Sequence, residues 1–78
     1  MKLTELPIDV TGKIIAIQAE DIKKRRLLDL GLTKGTEVIP KRRSPSGDPT
    51  AFLIRGTLIA LRSEETDLIE VRSKEGKQ

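Results

Sequence analysis

Short apolar clusters separated by turn residues set the layout of this chain. Leu3 to Leu6 is compatible with one short turn before Pro7. Gly12 to Ile17 reads as a strand, with Gly12 as a turn signal ahead of the β-branched Ile14, Ile15 and Ile17. Its apolar positions fall on both faces, as in a strand buried on both sides or one carrying a bulge. The next segment changes period. Leu27 and Leu30 are three apart and share a helical face, which predicts a helix over Asp21–Leu30 with Asp21 as its N-cap. Gly31 fits the left-handed position just past the helix end. Leu27 and Leu32 then form the apolar pair that a Schellman turn brings together. Leu28 lies well round from this face and has two readings, an exposed docking residue or a residue packed on a neighbouring loop.

The second half reads as strands. Glu37 to Arg43 is predicted as a strand, and Pro40 within it predicts an edge or a bulge because proline cannot donate to a ladder. Thr33-Lys34-Gly35-Thr36 is a tight turn leading into it. Ser44 to Pro49 is a turn-rich loop containing Gly47, Asp48 and Pro49. Thr50 to Arg55 is a strand, Gly56 marks a kink or close backbone approach, and Thr57 to Leu61 continues as a strand. Ser63 is expected to cap a short turn carrying Glu64 and Glu65. Asp67 to Arg72 is the last strand and Ser73 to Gln78 a polar tail. The fold class is therefore mainly β: a small SH3-like barrel of about five strands with one inserted α-helix.

Composition narrows the chemistry. The 78 residues form a single domain, 1–78, with a core over about 3–72. A chain this short buries only about 60–65% of its unfolded surface. It contains neither cysteine nor histidine, so a disulfide is excluded and a tight zinc or ferrous site of imidazole and thiolate is not available. Glu64 and Glu65, with Asp67 and Glu70, are the weak carboxylate candidates for a metal. No apolar run approaches the roughly 20 residues that span a bilayer, and none suits a signal peptide, so the expected location is the cytoplasm. The net charge of +3 is uneven: residues 1–43 hold ten Lys or Arg against six Asp or Glu, and residues 44–78 hold five against six.

Function classes follow from that inventory. Without His, Cys or Tyr, a nucleophile with a tuned base is not indicated, and the chain reads as a non-enzyme. Lys34-Gly35-Thr36 follows the helix rather than opening one, so it is no phosphate loop. Lys23 to Arg26 and Lys41-Arg42-Arg43 could track phosphates, which makes a basic nucleic-acid module the alternative. Against it, Phe52 is the only aromatic residue and is expected inside, leaving no stacking platform. The same shortage removes a proline-peptide groove.

Ile22 to Thr36, Gly47-Asp48-Pro49, Arg55 to Arg62, Glu64-Glu65 and Ile69-Glu70-Val71 together resemble the FeoA domain. The resemblance covers residues 3–72 and extends to the C-terminal domain of iron-dependent repressors. The residues that carry its framework are Leu27, Leu30, Gly31, Gly35, Gly47, Asp48, Pro49 and Gly56. It implies a cytoplasmic accessory of bacterial ferrous iron uptake that contacts the cytoplasmic side of the transporter FeoB. It also implies weak transition-metal binding with no required cofactor. Nucleic acid is not expected as a partner, and self-association is open. Lys24, Arg25 and Leu28 are the candidate partner-binding residues, an exposed leucine set among cations.

Overall fold

The computed structural model describes residues 1–74. Five strands form one antiparallel sheet: β1 (Gly12–Ile17), β2 (Glu37–Arg43), β3 (Thr50–Ile54), β4 (Thr57–Leu61) and β5 (Ile69–Ser73). Their spatial order is β4-β3-β2-β1-β5. Helix α1 (Asp21–Asp29) connects β1 to β2, and the short α2 (Ser63–Thr66) connects β4 to β5. A single 3-10 turn, Leu3–Glu5, precedes them. The mainly β class with one inserted helix is as the sequence predicts. The expected barrel, however, is not closed, because β4 and β5 are the two ends of the sheet. The β5 end is covered instead by the first residues, through a bridge between Lys2 and Glu70 and a Val71 N–H bond to the Met1 carbonyl at 2.8 Å.

The core is aliphatic. Leu3, Leu6, Ile14, Leu27, Leu32, Val38, Phe52, Ile54, Leu61, Ile69 and Val71 are all at most 2% exposed, so strands, helix and N-terminal turn share one apolar centre. β1 spans Gly12–Ile17 as the sequence predicts, and Gly12 is a buried position inside it rather than a turn residue. A β-carbon there would stand 2.6 Å from Leu6 Cδ2, so the missing side chain lets the N-terminal turn pack on the strand. The ambiguous apolar pattern of β1 resolves as a bulge: its register with β5 shifts between Ile14 and Ala16.

Pro40 does not mark an edge. β2 lies between β1 and β3, and the alternative reading, a bulge, is the one observed, between Pro40 and Arg42. An internal proline is tolerated because β1 pairs with β2 only at Glu37 and Val38. Beyond that point the Asp9 loop takes over, with its N–H donating to the Pro40 carbonyl at 2.7 Å and its carboxylate pairing with Lys41 at 2.8 Å.

Three other local expectations change. Asp21 is the first helical residue rather than the cap, and Glu20 holds the N-cap position without a side-chain cap bond. Arg55 and Gly56 are not a kink in a continuing strand. They are the two central residues of a tight hairpin turn, with φ of 51° and 82°. Positive φ at both positions is what a two-residue type I′ turn requires. Ser73 belongs to β5 and is buried, the Lys74 N–H bonds the Thr11 carbonyl at 2.9 Å, and residues 75–78 of the expected tail lie outside the described residues.

The end of α1 matches the sequence reading. Gly31 has φ 94°. Its N–H bonds the Leu28 carbonyl at 2.9 Å, and the Leu32 N–H bonds the Leu27 carbonyl at 3.0 Å. These are the two bonds of a Schellman motif, and the apolar pair it carries, Leu27 and Leu32, is 1% and 0% exposed. Leu30 is the half-buried C-cap residue. A β-carbon on Gly31 would also stand 3.4 Å from Arg55 Cδ. Gly31→Val is therefore expected to lower stability by about 1–3 kcal/mol, because a β-branched residue is held in a left-handed well. Gly31→Asn is expected to cost less, since Asn tolerates that well. Urea unfolding of both variants checks the order; equal stability of Gly31→Val and the parent chain would contradict it.

Candidate functional surface on helix α1

Helix α1 presents different chemistry on its two flanks. Only Leu27 of its nine residues is buried. The outer flank carries Asp21, Ile22, Lys24, Arg25, Leu28 and Asp29 around a shallow surface cavity of about 480 Å³. Ile22 is 87% exposed and Leu28 42% exposed, so neither is a core residue. The Cβ directions of residues 22, 25 and 28 follow one another at i, i+3 spacing, which places the Arg25 stem between the two apolar side chains. Among the described residues, neither Lys24 nor Arg25 is ion-paired. The structure places Lys24, Arg25 and Leu28 along one cavity on the exposed side of the helix. Ile22 is the member that sequence reasoning passed over. The signal for it was an isoleucine in the first helical turn with charges on both sides.

The inner flank of α1 borders a cleft. Lys23, Arg26 and Leu27 face Pro49, Ala60, Arg62, Glu64, Glu65 and Leu68 across a cavity of about 530 Å³. Arg26 forms an ion pair with Glu65 across it. Glu65 also accepts the Arg62 N–H at 3.1 Å, so both of its carboxylate oxygens are engaged. Glu64 is exposed. Asp67 accepts a hydrogen bond from the Thr4 hydroxyl. Among the described residues there is no cluster of three or more acidic, His or Cys side chains able to hold a metal.

The Gly47-Asp48-Pro49 motif has a structural task at this cleft. Gly47 has φ 92° and closes a turn onto the Ser44 carbonyl at 2.7 Å. This presents Asp48, whose carboxylate accepts the Ser63 N–H at 2.8 Å and stands 3.4 Å from the Ser63 hydroxyl. The first amide of α2 is therefore capped by a residue fifteen positions earlier. Ser63 itself is the first helical residue and does not cap it. Pro49 follows a cis peptide bond and lines the cleft.

A third contact ties the two glycine turns together. The Arg55 guanidinium donates to the hydroxyls of Thr36 at 3.1 Å and Thr33 at 3.3 Å. The β3–β4 turn containing Gly56 is thereby fastened to the α1–β2 turn containing Gly31 and Gly35. Next to it, the Lys74 ammonium bonds Glu37 at 2.7 Å and holds that carboxyl below its ordinary range.

The second basic cluster does not join the first. Lys41, Arg42 and Arg43 are exposed on β2, but neither cavity beside α1 is lined by them. Phe52 is 2% exposed and inside, so the one aromatic ring is unavailable for stacking on a base. No described helix is long and apolar enough to cross a membrane.

A family model for the FeoA domain matches residues 1–73. No curated protein matches the chain. Among solved structures, the chain is similar to FeoA from Chlorobium tepidum, with 35% identity and a TM-score of 0.90 over 100% of this chain and 74% of that one. It is similar to FeoA from Stenotrophomonas maltophilia complexed with zinc, with 34% identity and a TM-score of 0.81 over 92% and 89% of the two chains. That relative is described as an SH3 domain protein and put forward as a ferrous iron transport activating factor. A manganese-dependent transcriptional repressor shares the fold over 36% of its own length, with 20% identity and a TM-score of 0.85 over 94% of this chain. The chain has the small SH3-like fold and belongs to the FeoA family, which is associated with ferrous iron transport.

Proposed function

We propose that this chain is a non-enzymatic accessory of bacterial ferrous iron uptake that acts in the cytoplasm by contacting the FeoB transporter through the outer flank of α1. The observation that carries this reading is the exposure of Ile22 and Leu28 beside two cations that have no ion pair among the described residues. Apolar area gives such a surface its binding energy, and the cations steer an acidic partner towards it. The surface is fixed from within, because the single buried residue of the helix, Leu27, is anchored by the Schellman turn. The absence of His and Cys from the sequence supports a role without catalysis.

Leu28→Ala is the direct test. Its side chain is partly in water already, so a melting midpoint close to the parent's is expected. Binding to the cytoplasmic domain of FeoB is expected to weaken about five- to thirtyfold, as for a partly buried apolar contact at an interface. Calorimetry measures both quantities. Unchanged binding by a stably folded Leu28→Ala variant would remove this surface from the proposal.

The same reading makes transition-metal binding weak. Zinc accompanies one relative. Here, of the acidic residues in α2, Glu64 is exposed and Glu65 is committed to Arg26 and Arg62. Carboxylates alone are poor ligands for zinc or ferrous ion at neutral pH. Titration calorimetry with zinc is expected to find no site tighter than about micromolar. A nanomolar site in the monomer would contradict the expectation.

A further inference from the structure

We infer that the free edge of β4 is a self-pairing surface that joins two copies of this chain in antiparallel register. The argument begins with hydrogen-bond parity. In the β3–β4 hairpin, Ile54 faces Thr57 across the two-residue turn, Phe52 faces Ile59 and Thr50 faces Leu61. The pair flanking a two-residue turn is hydrogen-bonded, and such pairs alternate with pairs that are not. Leu53–Leu58 and Ala51–Ala60 are thus the pairs without mutual bonds. The N–H and C=O groups of Leu58 and Ala60 therefore point away from β3. Among the described residues, no backbone or side-chain group bonds them.

Sheet edges left in this state template association, and proteins blunt them with charge, proline, a bulge or a covering segment. The other end of this sheet is covered by Met1 and Lys2. Among the described residues, β4 has none of these protections. Thr57-Leu58-Ile59-Ala60-Leu61 carries no charge and no proline, and its register with β3 is unbroken. Leu58 is 59% exposed. Ala60 borders the cleft of about 530 Å³ whose other side is formed by Lys23, Arg26 and Leu27 of α1.

The sequence of β4 complements itself. When Ile59 faces Ile59 of a second copy, Leu58 lies opposite Ala60 and Thr57 opposite Leu61. This register brings the outward-pointing residues of both strands together, giving four backbone hydrogen bonds across a two-fold axis. Each exposed Leu58 then lies beside a small Ala60, a large-on-small fit repeated twice. Arg62 falls opposite Gly56, and Arg55 opposite Ser63, so no like charges lie directly opposite one another. All five residues of the strand are paired. A single added strand contact is smaller than a standard interface, which places the association in the weak, concentration-dependent class.

Sedimentation equilibrium of the full chain tests this up to about millimolar concentration. A monomer–dimer equilibrium is expected, with a dissociation constant on the order of 10⁻⁴ M, as suits an interface below standard size. Ala60→Pro removes an N–H that the monomer does not use, so its fold should persist while dimerisation weakens at least tenfold. Leu58→Lys places a charge on the edge and should do the same. Leu28→Ala should leave the dimer intact, which separates this surface from the transporter-facing one. A chain that remains monomeric at millimolar concentration would overturn the inference. So would a dimer whose affinity is unchanged in Leu58→Lys, or a β4 that binds other extended peptides but not a second copy.

Discussion

The left-handed turn at Gly31 is the constraint on which the rest of this small domain depends. Helix α1 is polar along most of its length and buries one residue, so helical propensity and an apolar stripe cannot hold it in place. The turn does so instead. By reversing the chain within two residues, it brings Leu27 and Leu32 into the same apolar centre and releases the backbone into β2. Arg55 then crosses over Gly31 to reach Thr33 and Thr36, so the hairpin on the far side of the sheet is tied to the same corner. A side chain at Gly31 strains the backbone and meets Arg55 at once.

Fixing α1 by its end leaves both flanks free for other uses. The inner flank closes partly over the sheet, with Arg26 reaching Glu65, while the Asp48 carboxylate holds the start of α2 nearby. The outer flank has no structural duty among the described residues, and that is where Ile22, Lys24, Arg25 and Leu28 collect. The same economy explains the unclosed sheet. The segment between β4 and β5 is spent on α2 rather than on pairing the two strands, so β4 keeps its outward amides unpaired. Two exposed surfaces, one helical and one a strand edge, remain on a domain of 8.7 kDa.

What was legible in the sequence was local. Gly31 with its flanking leucines specifies a helix stop through backbone conformation alone, and the stop is where the residues place it. The strands likewise follow from runs of β-branched residues between turn signals. What was not legible depended on distant partners. Asp48 caps α2 from another loop, so Ser63 looked like the cap when only its neighbours were in view. Pro40 is read from sequence as an edge or a bulge, and nothing in β2 reveals which, because the Asp9 loop that takes the place of β1 beside it lies elsewhere in the chain. Arg55-Gly56 lacks the Asn-Gly or Asp-Gly signature of a two-residue turn, and its hydroxyl partners lie in another hairpin-sized segment. At the candidate site, helical spacing placed Lys24, Arg25 and Leu28 on the outer side. The larger exposure of Ile22 emerged only once the helix was fixed against the sheet.

The central claim, that the Gly31 turn is part of the cooperative core and not a frayed helix end, is tested most directly by amide hydrogen exchange. The Leu32 N–H, bonded to the Leu27 carbonyl at 3.0 Å, should exchange only through global unfolding, with the same protection as Phe52 in the interior strand β3. Exchange of Leu32 at a rate typical of helix termini, while Phe52 stays protected, would show that α1 is held by some other contact.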